Sequence, residues 1–276
     1  CRSDGRGPMS YAPESFLQGQ INARDLGGIR AAGGRTVKKH KLIRSGELSR
    51  ATDADLEKLT HIRLKTVVDL RSSSELALKK DRLPDGVRLV HCPVVSDLVP
   101  GITRESVEDP YDGLKRADYA RDLREGGMAK MRSLYPILVG SSNAVQQYRR
   151  FFECVLDNED GAILFHCAMG KDRAGVAAAL LLYALGAAAK DIMADYMYTG
   201  IVCADKIRRD TDACRELTDD EELLESVYWL NTTHESYLEE MLKSCTEQCG
   251  SVERYLAEKL GLTQSKLSRL RAMYLE

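Results

Sequence analysis

A cysteine and an arginine with five residues between them stand in the most informative segment of this chain. Residues 161–175 read GAILFHCAMGKDRAG, so that Cys167 follows an apolar run and Arg173 precedes a long stretch rich in alanine and leucine. The apolar run predicts a strand and the stretch after Arg173 predicts a helix, which leaves one tight loop between them. Backbone N–H groups in such a loop, together with the positive end of the helix dipole, bind a phosphate dianion well.

Cysteine and arginine at this spacing suit an attack on phosphorus. We expect the Cys167 sulfur to be a thiolate near neutral pH, because the helix N-terminus and the nearby guanidinium both favour the anion. The thiolate can attack the phosphorus atom while the planar fork of Arg173 binds two of its oxygens, which a lysine would do less well. The pattern therefore predicts a phosphatase that works through a phosphocysteine, and an ordinary buried cysteine is the alternative.

The remaining loop residues are assigned to substrate binding. Lys171 would add positive charge at the loop mouth, which favours a substrate with a second phosphate such as an inositol lipid; a solvated lysine is the alternative. We expect His166 to hydrogen-bond to the backbone beside the nucleophile, and a plain core histidine is its alternative. The predicted substrate-binding residues are Ala168, Met169, Gly170, Lys171, Asp172 and Arg173.

The composition of the chain excludes several classes of function. With 276 residues, 43% of them hydrophobic and 30% charged, it has the make-up of a globular protein of one large or two small domains. A net charge of −2 argues against a broad phosphate-backbone footprint, so we predict no nucleic-acid partner. No apolar stretch reaches the roughly 20 residues of a membrane span, so we predict none.

The cysteines of the chain show no metal-site pattern. None of the eight forms the paired short spacings of a zinc site, so we predict neither a metal nor another cofactor. An enzyme that needs a thiolate favours a reducing compartment, which predicts a cytoplasmic protein. The alternative is a secreted or lipid-anchored bacterial protein that carries a lipid on Cys1. Residues 1–15 are predicted to be an irregular tail, which could in part be a remnant of processing or of the expression vector.

The order of strands and helices indicates an α/β fold. Strands are expected near 42–46, 66–70, 88–95 and 161–166, and helices at 53–60, 142–157, 173–185, 223–247 and 251–275. Alternating strands and helices predict a central, mainly parallel sheet flanked by helices, followed by a helical C-terminal part. We expect residues 16–276 to form a single domain.

Five motifs resemble one known family, in order along the chain. They are NARDLGG from Asn22, LIRSGEL from Leu42, VVDLRS from Val67, HCAMGKDRAG from His166 and GSVERYL from Gly250. Together they resemble the bacterial and fungal tyrosine-phosphatase-like family with a Gly-Lys-Asp-Arg phosphate loop, which includes secreted phosphatases of mycobacteria and Listeria. The likeness covers most of the chain from about residue 16 onwards, and it implies a protein-tyrosine-phosphatase-like fold.

The resemblance implies activity on phosphorylated proteins or phosphoinositides. Family members hydrolyse phosphotyrosine, often with phosphoserine, phosphothreonine or phosphoinositides. The resemblance also places Asn22 and Arg24 near the loop as supporting residues, which we interpret as scaffold, and it suggests that the charged segment 203–222 is a helical lid. Because this chain has Ala174 where the family usually has threonine, a phosphate-binding module without activity is an alternative function. A sulfurtransferase is a further alternative, against which the position of Arg173 argues.

Three aspartates compete to be the acid that protonates the leaving group. Asp97 follows the predicted strand at 88–95, where related phosphatases carry their general acid on a mobile loop. Asp172 lies within the loop itself, and the resemblance suggests a catalytic part for it. Asp69 ends a buried strand and could face the site from below. The non-catalytic alternatives are a solvated turn residue for Asp97, a brace of the loop for Asp172, and for Asp69 an ion pair that positions Arg71.

Overall fold

A five-stranded sheet forms the centre of the computed structural model, which describes residues 15–20, 22–95 and 126–276. The strands are β1 (Arg24–Asp25), β2 (Leu42–Ser45), β3 (Leu64–Asp69), β4 (Arg88–His91) and β5 (Ala162–His166). Their order across the sheet is β1-β2-β5-β3-β4. Strands β2 to β5 run parallel, and β1 pairs antiparallel with β2 at one edge. The prediction of a mainly parallel sheet is confirmed.

The register of the sheet brings three loops to one end. Strand β5 lies between β2 and β3, so that His166 pairs with Ser45 on one side and with Asp69 on the other. Each of these residues is the last of its strand. Because the carboxyl ends of parallel strands share one edge of a sheet, the loops that follow β2, β3 and β5 meet there.

Helices surround the sheet and build the C-terminal half. In the described ranges they are α1 (Asp53–His61), α2 (Ser73–Leu78), α3 (Gly127–Gly140), α4 (Ser142–Asp157), α5 (Arg173–Leu185), α6 (Ala189–Val202), α7 (Ala204–Arg215), α8 (Glu221–Asn231), α9 (Glu235–Cys249), α10 (Val252–Glu258) and α11 (Gln264–Tyr274). The predicted α/β class with a helical C-terminal part is confirmed. None of these helices has the length and apolar character that crossing a bilayer requires.

Two apolar clusters hold the sheet from its two faces. Along β5, Ile163 and Phe165 belong to the larger cluster, whereas Leu164 belongs to the smaller one. Successive residues of a strand point to opposite faces, which produces this alternation. Helix α5 is buried along almost its whole length, because it packs against β2 and β5 on one side and against α6, α10 and α11 on the others. Its alanine- and leucine-rich sequence suits that position.

Local capping explains which helix boundaries the sequence predicted. At the start of α1, Thr52 and Asp55 each accept the backbone N–H group of the other, which is the predicted cap. At the end of α5, Gly186 adopts a left-handed conformation with a φ of 81° and stops the helix as predicted. Both signals depend on residues a few positions apart, so they can be read without knowledge of the fold.

The predicted boundaries of the C-terminal helices are wrong. The segments predicted at 203–222, 223–247 and 251–275 form parts of five helices, α7 to α11. The breaks coincide with new N-caps, because a side chain there bonds to a backbone N–H group of the next turn and starts another helix. These caps are Asp220, His234, Ser251 and Thr263.

The charged segment suggested as a lid is mostly helix α7. Within α7 the buried residues are Ile207 and Cys214, so this helix packs on its neighbours through a narrow apolar side. Its role as a lid stays a prediction.

Candidate active site

Residues 167–172, which we call the Cys167 loop, connect β5 to α5. Cys167 follows the last residue of the strand and is 2% exposed, and Asp172 stands directly before the helix. Gly170 has a φ of 72°, and a Cβ atom there would lie 2.6 Å from the carbonyl oxygen of Ser45. Only glycine suits this position, because other residues rarely adopt that backbone conformation and because the Ser45 carbonyl group leaves no room for a side chain.

Three consecutive carbonyl groups of the Cys167 loop, those of residues 168–170, are bound from outside the loop. A trans peptide unit points its C=O and N–H groups in opposite directions, and the described residues contain no cis peptide bond. The N–H groups of residues 169–171 are therefore directed to the inner side of the loop, where an anion would lie. The three bonds run from the Glu47 N–H to the Ala168 oxygen at 3.1 Å, from Asn22 Nδ2 to the Met169 oxygen at 2.7 Å and from Arg44 Nη2 to the Gly170 oxygen at 2.7 Å.

A buried carboxylate on α6 holds the side chains that bind these carbonyls. Asp195 accepts Arg24 Nε at 2.7 Å and Arg44 Nη1 at 2.5 Å. Arg24 also donates to Asn22 Oδ1 at 2.6 Å, which orients the Asn22 amide group toward the loop. Burial alone would raise the pKa of Asp195, but the two guanidinium groups outweigh it and hold that pKa below its ordinary value. Asn22 and Arg24 thus lie behind the loop, where scaffold residues would be.

The guanidinium of Arg173 is held by a carboxylate from the segment after β3. Glu75 accepts Nη1 at 2.5 Å and Nη2 at 2.9 Å, and both side chains are buried. Burial alone would lower the pKa of Arg173, but the bonds to Glu75 and the charge interactions with Cys167, Glu75 and Asp172 raise it. Arg173 is therefore held as a cation close to the cysteine.

Glu75 is itself held by the start of α2. Ser72 Oγ accepts the Glu75 N–H at 3.3 Å, and Glu75 Oε2 accepts the Ser72 N–H at 2.9 Å. The carboxylate that caps α2 is thus the one that orients the arginine. The sequence pattern contained a usable signal for Glu75, since a serine three positions before a glutamate, just after a buried strand, is a typical helix start.

Lys171 and Asp172 contact the helical part of the protein. The Lys171 ammonium donates to the carbonyl oxygen of Leu230 at the end of α8, and its side chain is 1% exposed. The alternative of a solvated lysine is therefore wrong. Asp172 Oδ1 accepts the hydroxyl of Tyr135 at 2.8 Å and lies 3.4 Å from Lys171 Nζ. Burial and the Asp172 charge raise the pKa of Tyr135 well above its ordinary value, so the tyrosine hydroxyl remains a donor.

A buried ionic cluster lies behind the cysteine, at the carboxyl ends of β3 and β5. His166 Nδ1 lies 3.3 Å from the Cys167 carbonyl oxygen and 3.8 Å from Asp69 Oδ1, and Nε2 lies 3.1 Å from Asp81 Oδ2. Arg71 Nη2 bonds to both carboxylates, at 2.8 Å to Asp69 and 2.7 Å to Asp81. The cation that these two carboxylates share is the Arg71 guanidinium.

The cluster determines the environments of His166 and Asp69. Burial alone would lower the pKa of His166, but the charges of Asp69 and Asp81 outweigh it and raise that pKa. His166 also contacts the Cys167 carbonyl group, as expected from the sequence. Asp69 forms the ion pair with Arg71 that was its non-catalytic alternative.

The structure brings the predicted site residues to one place, with one exception. Asp97 lies outside the described residues. The other predicted residues belong to the Cys167 loop and its helix or border it, and these bordering residues are His166, Asn22, Arg24 and Asp69. Residues that the sequence pattern did not single out are Arg44, Glu75, Asp81, Tyr135 and Asp195. Arg44 lies in the LIRSGEL motif and Glu75 carries a cap signal, whereas the other three residues carried no local signal.

Known phosphatases are similar to this chain over part or most of its length. A protein of Cupriavidus necator, named a candidate tyrosine-protein phosphatase, is 37% identical over 178 residues, which are 64% of this chain and 59% of that protein. A tyrosine-protein phosphatase of Nostoc commune is 29% identical over 160 residues, which are 56% of this chain and 46% of that protein. The triple specificity protein phosphatase PtpB of Mycobacterium tuberculosis is 26% identical over 279 residues, which are 94% of this chain and 98% of that protein.

The extent of these matches differs between the relatives and the family model. The chain spans only 59% and 46% of the lengths of the first two relatives. The model of the tyrosine phosphatase family matches residues 16–276, a range that includes the sheet, the Cys167 loop and the C-terminal helices. The resemblance inferred from five motifs is confirmed, and the chain belongs to the tyrosine phosphatase family.

Proposed function

We propose that this chain hydrolyses phosphomonoesters through a cysteinyl-phosphate intermediate. The observation that carries the proposal is the outward direction of three consecutive carbonyls of the Cys167 loop, which leaves the N–H groups of residues 169–171 for an anion. Cys167 and Arg173 stand on either side of these groups in the chain. A phosphate bound by the N–H groups would therefore meet both a nucleophile and a cation.

The proposed reaction has two steps. First the Cys167 thiolate attacks phosphorus, so that an S–P bond forms while the ester P–O bond breaks; the leaving oxygen keeps the electron pair and takes a proton from a general acid. Then water attacks phosphorus, its proton passes to the carboxylate left by the acid, and the S–P bond breaks to restore the thiolate and release inorganic phosphate. Arg173 and the inward N–H groups stabilise the charge on the non-bridging oxygens in both steps.

The general acid is proposed from the contacts that each candidate already makes. Asp69 accepts the N–H, Nε and Nη2 of Arg71, and its side chain has no exposed surface. A carboxylate bound in this way serves as a structural anion, so we assign Asp69 to that role. Asp172 lies on the Cys167 loop and accepts the Tyr135 hydroxyl through Oδ1, and we propose it as the acid. Asp97 is the competing candidate.

The proposed substrates are phosphoproteins, with phosphotyrosine first and phosphoserine or phosphothreonine as further substrates. The names of the relatives support this class, since two are tyrosine-protein phosphatases and one is a triple specificity protein phosphatase. Phosphoinositides are the second candidate. We place them second because the Lys171 ammonium, which would favour a second phosphate at the mouth, donates to the Leu230 carbonyl instead.

Hydrolysis of para-nitrophenyl phosphate tests the proposed mechanism. Cys167→Ser should abolish turnover, while Cys154→Ser, which changes another buried cysteine on α4, should leave it intact. In the native protein, acid quenching during turnover should leave the mass of one phosphoryl group on the peptide that contains Cys167. Unchanged turnover by Cys167→Ser would refute the mechanism. Tight vanadate binding without hydrolysis by the native protein would identify a phosphate-binding module instead.

Leaving-group dependence distinguishes the two candidate acids. A poor leaving group such as phenol needs protonation more than para-nitrophenol does. If Asp172 is the acid, Asp172→Asn should lose far more activity on phenyl phosphate than on para-nitrophenyl phosphate, and Asp97→Asn should lose the same fraction on both. The opposite pattern would assign the acid to Asp97. A panel of phosphotyrosine peptide, phosphothreonine peptide and inositol phospholipids then ranks the substrates.

A further inference from the structure

We propose that Asp81 is a positioning residue for the reaction of Cys167, because it keeps His166 as an imidazolium directly behind the nucleophile. The inference rests on the proposed function and assigns a part in it to a residue that no motif of the sequence included. Asp81 lies between α2 and β4, about a third of the chain length away from the cysteine in sequence, and the fold alone brings the two together.

The surroundings of the His166 ring contain acceptors on both sides. Nδ1 faces the carbonyl oxygen of Cys167 at 3.3 Å and Asp69 Oδ1 at 3.8 Å, whereas Nε2 faces Asp81 Oδ2 at 3.1 Å. A neutral imidazole carries one N–H and one lone pair. Among the described residues no acceptor is aligned with Nε2 for a hydrogen bond, so its contact with Asp81 is an ion-pair contact, and a neutral ring would leave that nitrogen uncharged beside a buried carboxylate. The doubly protonated ring instead places a positive charge between the two buried carboxylates, Asp69 and Asp81.

Asp81 is itself rigidly held. Its Oδ1 accepts the N–H of Leu48 at 2.8 Å, and its Oδ2 bonds to Arg71 Nη2 at 2.7 Å. The side chain is 0% exposed, so water does not compete for the carboxylate. Asp81 therefore links the segments that follow β2 and β3 to the end of β5, and its position relative to His166 is set by three parts of the fold.

The charges around the ring connect the protonation state of His166 to the ease with which the Cys167 thiol loses its proton. Two carboxylates and one guanidinium leave a single negative charge beside a neutral ring, directly behind a sulfur that must become an anion. With an imidazolium the cluster is neutral and a cation adjoins Cys167, which favours the thiolate at lower pH. The charged groups that face the ring, directly or through Arg71, are Asp69, Arg71, Asp81, Cys167 and Glu47.

The experiment measures the titration of the Cys167 thiol in Asp81→Asn. The rate at which iodoacetamide alkylates Cys167 is followed against pH by mass spectrometry of its peptide, a readout that does not require turnover. We expect the midpoint to rise by about half a pH unit or more, because Asp81→Asn removes the cation next to Cys167 together with a carboxylate on the far side of the ring, and the nearer charge has the larger effect on the sulfur. The acid limb of kcat/KM should move in the same direction. Asp85→Asn is the control, because it removes the same charge from an exposed residue of the same segment.

Two further measurements decide whether Asp81 acts through His166. In a His166→Asn background, Asp81→Asn should no longer raise the midpoint, because it then removes only a carboxylate, and that loss by itself favours the thiolate. In the native protein, the ¹⁵N signals of the His166 ring, identified by their loss in His166→Asn, should show both nitrogens protonated at neutral pH; this measurement also decides the matter if Asp81→Asn does not fold.

An unchanged midpoint in folded Asp81→Asn, an equal shift in the His166→Asn background, or a neutral native ring would each overturn the inference. If the native protein hydrolyses no phosphomonoester, the proposed function fails, while the alkylation midpoint still reports whether Asp81 and His166 control the thiol.

Discussion

Replacing Glu75 should remove the group that orients the Arg173 guanidinium. Glu75 accepts two bonds from Arg173 and one from the Ser72 N–H. Glu75→Ala removes all three bonds, whereas Glu75→Gln keeps the shape and one acceptor oxygen but loses the charge. Ser72→Ala is the matched control, because the Ser72 hydroxyl bonds to the Glu75 N–H and to Ser74 Oγ, so its loss weakens the cap of α2 and leaves the carboxylate in place.

The structure sets the size of the expected effects. Both side chains of the Glu75–Arg173 pair are at most 3% exposed, so water cannot replace the carboxylate. Removing one partner of such a pair costs about 3–5 kcal/mol, because the other charge stays buried and unbalanced. Losing a helix N-cap costs about 1 kcal/mol. We therefore expect the free energy of unfolding to fall by roughly 4 kcal/mol in Glu75→Ala, by about 1 kcal/mol in Ser72→Ala, and by an intermediate amount in Glu75→Gln.

Activity should separate the variants more strongly than stability does. The guanidinium bonds to Glu75 are charge-assisted, and a hydrogen bond of this kind contributes about 1.5–3 kcal/mol. If a displaced Arg173 loses a comparable interaction with the transition state, kcat/KM falls by about 10- to 150-fold. Ser72→Ala should stay within about threefold of the native kcat/KM. Urea unfolding and hydrolysis of para-nitrophenyl phosphate, measured at a temperature where every variant is folded, provide the two quantities.

Two results would refute this reasoning. One is a native kcat/KM in Glu75→Ala and Glu75→Gln despite a loss of stability, which would show that Arg173 needs no partner to reach the substrate. The other is a loss of kcat/KM in Ser72→Ala as large as in Glu75→Ala, which would show that the helix cap, and not the carboxylate, controls the site.

The ionic groups behind the loop lead to two more expectations. Asp195→Asn should lower the free energy of unfolding by about 3 kcal/mol or more, because Arg24 and Arg44 would lose their shared buried carboxylate; a loss below about 1 kcal/mol in urea titrations would contradict the pairing. The free energy of unfolding should also fall as the pH rises above neutral, because the pKa of His166 is raised in the folded protein. The stabilisation that comes from protonated His166 is complete below the unfolded pKa of about 6.5, and it is lost as the pH passes the folded pKa. Urea midpoints at several pH values should show a smaller fall in His166→Asn, and an equal fall would mean that other groups cause it.

Local patterns predicted the elements whose signals lie within a few residues. The apolar run at β5, the cap at Thr52 and the glycine at 186 were all readable, because a strand face, an N-cap and a C-cap each depend on neighbours in sequence. The C-terminal helices show the limit of this approach. Apolar residues at helical spacing continue across the breaks between α8 and α9 and between α10 and α11, and such a stripe reports which face is buried without reporting whether the helix is continuous.

The candidate active site likewise combines residues that local sequence patterns predicted with residues that only the fold brings close. The proposed nucleophile, the arginine and the loop between them were predictable because one short segment carries all three. Among the partners of that segment, the family resemblance placed Asn22 and Arg24 near the loop, and a cap signal marked Glu75; the distant charged partners Asp81 and Asp195 were not predicted. Glu75 lies 98 positions from Arg173 in sequence, and Arg44 lies 126 positions from the loop carbonyl that it binds.

The amino-acid sequence by itself determined which atoms can do chemistry here: a thiol, a guanidinium and a run of backbone N–H groups at a helix start. Only the tertiary structure decided which charged groups surround those atoms and how the side chains are oriented, because Glu75, Asp81 and Asp195 come from separate segments. Buried charges must be paired with whatever the fold brings within a few ångströms. That pairing follows from strand order and helix packing, which no local pattern of residues specifies.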